Sequence, residues 1–572
     1  MDLLIFALIL LGVIVLIMFL QFVNAGREDR LYLQKLNSGF GSRDRTSYDR
    51  DRIASARGFY ERHRSASALD DISWSDLSMD EIFAEADNTE SDAGCQMLYH
   101  MLRNPLTDRD EIERRRNLID FWRSESSIRN SILVYLHHTG RLSRGSVYDL
   151  LDSCRSLEKK SFRGYIFRIV LLVMTIILMF FQQGIGTVLF VLVFISNVYV
   201  YYRDRTAVLP HLKLFSYICS LIGSSSDICR IIDRSDNEIL KRESERIKET
   251  LNSLSAVNRT GRLALSSEQG GNPFAVIFNI LGIFVYADLI RFWKLRDRIL
   301  EQENDIDRLI ELTGSVDAMI SAAAYIESFK GRLCRPVFDP DTGGSIRIRG
   351  VYHPLVTDAV PNDVDADRSI LLTGANASGK STFLRSIALG ALFAQTFGYT
   401  CASGYQAPLI SLVSAMSIND DVCGGDSYYM AEIKAVKRMM DMYLSDMEDK
   451  NRSRLLHVCF IDELLNGTNT EERIAACTQI LKKMDSQGMR VMAATHDIEL
   501  TGLLAGQYDN YHFEEDLSEG DVRFSYLLKT GPSKSRNAIK LLDRLGFDKE
   551  LTEKAVDMVN RHVNDGIWAD PS

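Results

Sequence analysis

Lys380 and Ser381 close a run of small residues, Gly374-Ala375-Asn376-Ala377-Ser378-Gly379, and Thr382 follows them. An ammonium group and a hydroxyl placed just after two glycines with four residues between them suit the grip of a polyphosphate. The residues before them, 369–372, are apolar and read as a buried strand; residues 383–389 read as a helix. Strand, G-x-x-x-x-G-K-S, then helix is the context in which this Walker A spacing has a mechanism. The glycines let backbone N–H groups turn toward phosphate oxygens, and the helix N-terminus adds a partial positive charge. Lys380 is then placed for the β- and γ-phosphates and the Ser381 hydroxyl for Mg²⁺. The pattern predicts nucleoside triphosphate binding by residues 374–382.

Such a site needs carboxylates at the end of a second strand. The apolar run 455–461 ends in Asp462-Glu463, which fits Asp462 holding Mg²⁺ and Glu463 orienting the attacking water. A third apolar run, 489–494, ends in Thr495-His496-Asp497. A histidine at a strand end is often a plain surface residue, but beside a nucleotide it can contact the γ-phosphate or the water.

Taken together these blocks resemble the MutS family, whose ATPase belongs to the ABC class. The likeness rests on His353-Pro354, on TGANASGKSTFLRS, on Asn419-Asp420-Asp421 and on Gly425-Asp426-Ser427-Tyr428-Tyr429-Met430-Ala431-Glu432. It continues through Asp462–Thr470, Ala494-Thr495-His496 with Glu499-Leu500-Thr501, and Lys534-Ser535-Arg536-Asn537-Ala538. Weaker likeness reaches upstream to 94–116, 287–293 and 315–325, about two-thirds of the chain in all. The resemblance implies an ATP sandwiched between two subunits, with Ser427 facing the γ-phosphate held by a partner chain. Read from its own neighbours, Gly424-Gly425-Asp426-Ser427 is equally a loop and helix N-cap. The resemblance also implies dimerisation through a C-terminal helix–turn–helix. The chain departs from the family at Ala375, Ala377 and Ser378, where proline, methionine and glycine are usual, and at Leu465, Asn466 and Asn469. The phosphate-contacting positions are kept.

The N-terminal half carries a different signal. Residues 3–23 form a charge-free apolar run long enough to cross about 30 Å of hydrocarbon as a helix. Before it stand only Met1-Asp2, without the basic n-region of a secretory signal. Two more apolar runs, about 165–183 and 184–202, are joined by Gln182-Gln183-Gly184 and read as a membrane hairpin. Residues 24–64 hold ten basic and six acidic residues, whereas Met1-Asp2 and the 182–186 turn hold no Arg or Lys. The positive-inside rule then puts the N-terminus outside and every bulky segment in the cytoplasm. Phe274 to Ile290 carries Asn279 and Asp288 and reads as a buried core helix. Gly58-Phe59-Tyr60-Glu61 mimics the Phe-x-Glu wedge of MutS proteins, but the surrounding residues lack the alternating strands of a wedge domain. No β-rich DNA clamp is evident either, since 203–271 reads as helices.

With 572 residues, a net charge of −10 and nine cysteines in no metal-binding or disulfide spacing, the chain reads as a multi-domain protein of a reducing compartment. Its acidity does not suggest a general nucleic-acid binder, and it leaves room for a local basic channel. The expected fold class is an α/β P-loop (ABC-type) ATPase domain preceded by an all-α core/lever domain with transmembrane helices. Expected boundaries are a transmembrane anchor at 1–23, a basic, flexible juxtamembrane segment at 24–88, and a helical core at 89–345 interrupted by the hairpin. The ATPase domain follows at 346–530 and the dimerisation element at 531–572. The expected function is that of a multi-pass cell-membrane ATPase using ATP and Mg²⁺ as a homodimer. Glu463, His496 and Lys380 are its expected catalytic residues, and Ser381 and Asp462 its metal ligands. By the family resemblance the cycle is coupled to mismatched or branched DNA. The alternative is a mechanical or signalling role on membrane lipid or a membrane partner, without DNA.

Overall fold

The computed structural model describes residues 27–42, 50–65, 68–142, 145–158, 162–265, 286–340, 343–375, 378–416, 428–450, 452–465, 468–516, 523–533 and 547–565. The chain forms two compact units. One comprises 1–64, 83–102 and 118–328; the other comprises 65–82, 103–117 and 329–572.

The first unit is helical. Its described elements begin with α1 (27–39) and α2 (Arg50–Arg62), continue through α3 (Asp71–Asp76, itself in the other unit) and α4 (Met79–Ala86), and reach α5 (Asp92–Arg103) and α6 (Arg109–Ser124). Then come α7 (Ser126–Thr139), α8 (Val147–Ser156), α9 (Phe162–Phe181), α10 (Gln183–Ile232), α11 (Glu238–Ser253), α12 (Ser255–Leu265), α13 (Ala287–Glu301) and α14 (Glu303–Ser328). The packing centre is α14, buried along most of its length. It meets α5 at a close crossing: a Cβ on Gly314 would lie 2.4 Å from the Ala93 carbonyl oxygen, so only glycine fits there. One turn on, the buried Asp317 carboxylate accepts N–H groups from Glu90 (3.1 Å) and Ser91 (2.8 Å) and the Ser91 hydroxyl (2.6 Å), satisfying donors at the start of α5.

The apolar runs at 165–202 form two helices, α9 and α10, which turn at Gln182. Both are long and apolar enough to cross a membrane, and both leave large side chains exposed, among them Phe167, Met174, Val188, Leu192 and Ile195. Water disfavours such a surface strongly. A third helix of that length, α14, is core by its burial. The expected first span (3–23) and most of 274–290 lie outside the described residues.

The sequence expectation of a flexible segment over 24–88 is corrected. Residues 27–39 and Arg50–Arg62 are helical, and Ile53, Ala56, Phe59 and Tyr60 of α2 are buried. Their helical spacing supplies an apolar stripe that the surrounding Arg and Asp obscure. Phe59 is 3% exposed and its ring stacks on His63 at 4.3 Å, so it is a core residue, not a wedge. The expected boundary at 345 also moves. Residues 65–82, 103–117 and 329–345 group with the second compact unit.

The second unit is built on a six-stranded sheet. Its strands are β4 (Ser369–Thr373), β6 (Ile410–Ala415), β7 (Leu456–Asp462), β8 (Arg490–Ala494), β9 (Tyr508–Asp516) and β10 (Arg523–Thr530), in the order β10-β9-β4-β8-β7-β6. All neighbours are parallel except β10 on β9. Every residue of β4 is buried, the pattern of a parallel strand covered on both faces. A smaller sheet, β1 (Val337–Phe338), β5 (Gly404–Ala407), β2 (Ile346–Val351) and β3 (Asn362–Ala366), lies in the same unit. The edge strand β6 has its outward donors satisfied by α3. Ser73 Oγ accepts the Ser414 N–H at 2.9 Å, and the Asp76 carboxylate accepts the Ser414 hydroxyl at 2.6 Å and the Met416 N–H at 2.8 Å.

Candidate active site

The site lies at the carboxyl ends of the parallel strands, where ligands bind in open α/β sheets. From β4 the chain enters Gly374 at φ 143° and leaves the loop through Gly379 at φ 103°, conformations that side chains rarely adopt. A Cβ on Gly374 would come within 2.9 Å of the Phe513 carbonyl oxygen and 3.2 Å of Ser378 Oγ. Immediately after Gly379 begins α15 (Lys380–Phe397). Lys380 Nζ donates to the carbonyls of Gly374 (2.8 Å) and Ala375 (2.9 Å), which holds the ammonium inside the loop. Asn376 and Ala377 lie outside the described residues. Among the described residues the buried Ser378 hydroxyl has no hydrogen-bond partner.

Asp462 ends β7, paired in register with Ala494 at the end of β8. Burial raises its carboxyl above the ordinary range, opposed by a hydrogen bond from Ser381, while the Glu463 charge raises it further. Its Oδ1 is buried and, among the described residues, without a hydrogen-bond partner. An unpartnered carboxylate oxygen beside a serine hydroxyl at a P-loop fits a divalent cation with oxygen ligands, the pair expected from sequence. Glu463 turns out of the strand at φ 57°, its N–H donating to the Ala494 carbonyl at 3.0 Å. This turn aims the carboxylate at His496, whose Nε2 lies 2.6 Å from Glu463 Oε1.

His496 itself is held by its neighbours. Asp497 forms a bidentate pair with Arg473, at 2.9 and 2.6 Å, and its N–H donates to Thr495 Oγ1 at 3.0 Å. Arg473 belongs to α17 (Thr470–Ser486), the next helix but one after α15 in chain order, with α16 (Tyr428–Glu448) between them. The N-cap of α17 is Asn469, whose side chain accepts the Glu471 N–H. The residue that departs from the family's serine therefore serves as a helix cap.

The loop opens onto a cavity of about 480 Å³ lined by His353, Val360, Asn362, Phe513 and Tyr526 together with Gly379, Lys380, Ser381, Thr382 and Glu463. Its size suits a nucleotide. The Tyr526 ring stands against Gly379, where an added Cβ would meet it at 3.2 Å. Tyr526 itself is at φ 54°, within the irregular register of β10 on β9, and its carbonyl accepts from Asn362 Nδ2 at 2.9 Å. Sequence reading did not find Tyr526, Asn362 or Phe513. Only the His353-Pro354 motif hinted at this wall. Burial, then the Arg385 charge, hold the His353 imidazole down to about 4, so it faces the cavity neutral.

The structure thus brings together Gly374, Ala375, Ser378, Gly379, Lys380, Ser381, Thr382, Asp462, Glu463 and His496. Ser427 and the residues 534–546 lie outside the described residues.

A strand–loop–helix phosphate grip, with acids and a histidine on the adjoining strand ends, defines a P-loop NTPase. Residues 370–562 match the family model of MutS domain V, a P-loop ATPase domain. The chain is 30% identical over 269 residues to the DNA mismatch repair protein MutS of a Thermus thermophilus strain, covering 46% of this chain and 31% of the relative. It is 26% identical over 298 residues to the DNA mismatch repair protein MutS 2 of Haloarcula marismortui, covering 47% and 30%. The DNA mismatch repair protein MutS of a Roseiflexus species gives 28% over 267 residues, covering 44% and 23%. The chain spans about a third or less of the length of these relatives. The likeness to MutS domain V is confined to its C-terminal part.

Proposed function

We propose that this chain is a Mg²⁺-dependent ATPase of MutS type, working as a homodimer held at a membrane. The observation that supports this most is the meeting of Lys380, Ser381, Asp462, Glu463 and His496 at one loop, with Asp462 Oδ1 buried and unpartnered among the described residues. A Mg²⁺ ion held by Ser381 and Asp462 would supply positive charge for phosphoryl transfer. Lys380 binds the phosphates, and Ser381 and Asp462 hold the ion. Glu463 orients the attacking water and takes its proton, and His496 fixes the Glu463 carboxylate through their 2.6 Å contact. Tyr526 offers a ring face to the base. Ser427 would complete the site from a partner chain.

The names of the relatives make DNA the first ligand to test, as a coupling of the ATPase cycle to mismatched or branched DNA. A second reading is favoured by α9 and α10, whose exposed apolar faces fit lipid; with the excess of Arg and Lys beside the spans, the ATPase unit would then lie on the cytoplasmic side. In it, the cycle acts on the membrane or on a membrane partner. The test is ATPase rate of the full chain in nanodiscs, with duplex, mismatched and branched DNA, and across lipid compositions. Severalfold stimulation by one DNA form supports the first reading. A rate indifferent to every DNA but changing severalfold with lipid supports the second.

A further inference from the structure

Tyr286, the residue before α13, stands in the left-handed region (φ 50°) and is buried against the base of the apolar hairpin. Its ring stacks on Tyr165 at 4.9 Å, and its hydroxyl donates to the Asn197 carbonyl at 3.1 Å. Tyr165 in turn donates to Asp204 at 2.9 Å. From there α13 runs away from the hairpin beside α10, with Phe292 stacked on Phe215 at 4.9 Å. Beside it α12 runs the opposite way. Gln302 Nε2 donates to the Ser253 carbonyl and Arg298 Nη1 to that of Ala256, each at 2.9 Å, and a Cβ on Gly261 would meet Leu295 at 4.0 Å. The chain therefore heads toward the hairpin where α12 ends, at Leu265, and comes back from it at Tyr286.

Residues 266–285 join these two ends and lie outside the described residues. The stretch 274–285 holds no charge and one polar side chain, Asn279. As a helix it reaches about 18 Å, short of the roughly 20 residues that a crossing takes. Both ends face the hairpin from one side, so entry and return is the path such a length permits. Within the hairpin, Asn197 is 3% exposed and its Oδ1 has no hydrogen-bond partner among the described residues. In hydrocarbon no water can serve that oxygen. Asn197 and Asp204 are about 10 Å apart along α10, and the same spacing in sequence puts Asn279 about 10 Å from Tyr286 along a helix. Tyr165 touches both Asp204 and Tyr286, so the two asparagines come to one depth.

We propose that residues 274–285 dip into the hydrocarbon and return on the same side, covering one apolar flank of α9 and α10, with the Asn279 amide donating to Asn197 Oδ1. The proposal rests on the membrane reading of the hairpin. Amide pairs of this kind fix the mutual position of apolar helices in lipid. The core helix expected over 274–290 is then confined to its described end, where Tyr286 and Leu289 are buried.

The test uses the full chain in nanodiscs. A lipid-soluble diazirine is activated by light, and labelled peptides are quantified by mass spectrometry. Residues 274–285 should take at least about fivefold more label than α14, an apolar helix of crossing length that is core. Label no greater than that of α14 overturns the proposal; an unlabelled hairpin refutes the membrane reading instead. Position is read from Asn197→Cys paired with Asn279→Cys, oxidised and digested. This pair should give at least about fivefold more cross-link within one chain than Asn197→Cys with Ser266→Cys. A 197–279 link between chains, which makes a second copy the occupant, overturns the proposal. So does a labelled 274–285 without the link, which leaves lipid or residues 3–23 on that flank. Should the cysteine pair fail to fold, Asn197→Leu and Asn279→Leu decide. Each should lower the melting temperature, and the two together no further than one alone. Additive losses, or none, overturn the pairing.

Discussion

Asp462→Asn should make the protein more stable without nucleotide and less stable with it. Asp462 Oδ1 is buried without a partner among the described residues, and burial holds the carboxyl above its ordinary range. A group whose folded value is raised contributes its stability in full below the unfolded value, about 3.9, and loses it as pH rises through the folded value. Leaving a buried acceptor unsatisfied costs about 1–3 kcal/mol, more for a charge. Asparagine has the same size and no charge, so it should recover about 1 kcal/mol, or about 2–4 °C in melting temperature for a unit of this size. Nucleotide with Mg²⁺ at a hundred times its Kd stabilises the wild type by about 2.7 kcal/mol. The variant has lost a metal ligand and should gain about 1 kcal/mol or less under the same conditions. The melting order therefore inverts, with the variant above the wild type in EDTA and below it in Mg²⁺ and ATP analogue. The assay is thermal melting by intrinsic fluorescence under both conditions. A variant that melts below the wild type in EDTA, or that gains as much from Mg²⁺ and analogue, refutes the assignment of Asp462.

Three further outcomes are expected. Arg473→Met leaves the Asp497 carboxylate, 11% exposed, without its bidentate partner; it should cost about 2–3 kcal/mol in melting experiments and lower kcat about tenfold with KM little changed, because His496 loses its neighbour's anchor. His353, held to about 4, is neutral when folded and takes a proton when unfolded at mildly acid pH. Its contribution is therefore present above about 6.5 and lost as pH falls toward 4, and His353→Gln should flatten the pH–melting profile over that window. Gly314→Ala places a methyl 2.4 Å from the Ala93 carbonyl; it should destabilise the helical unit by about 1–3 kcal/mol, read as a lower melting temperature with nucleotide affinity preserved.

The phosphate loop, the acidic pair and His496 were legible in the sequence because each is a short pattern at the end of an apolar strand. Local spacing fixes where such side chains emerge. Tyr526 was not legible, since its place against Gly379 depends on β10 pairing with β9 through an irregular register and on a positive φ at a tyrosine. Arg473 escaped for a like reason: only the fold carries α17 to Asp497. The hairpin at 165–202 was plain because nothing but apolar length is needed to see a helix of that kind. By contrast, α2 was hidden by composition. Its four buried side chains at helical spacing lie among arginines and aspartates, and charge density outweighed periodicity. The incorporation of 65–82 and 103–117 into the ATPase unit rests on bonds such as Asp76 to Ser414 and Arg115 to Thr396. Partners so distant in sequence leave no local pattern.

The most direct measurement is phosphate release from Mg²⁺-ATP by the purified full chain, beside Glu463→Gln and with ATP binding followed in both. The wild type should turn over ATP only with the divalent ion. The variant should bind ATP as tightly while its kcat falls at least about a hundredfold, the usual contribution of a placed base. Equal turnover in both, or turnover undiminished by EDTA, would contradict hydrolysis at this site.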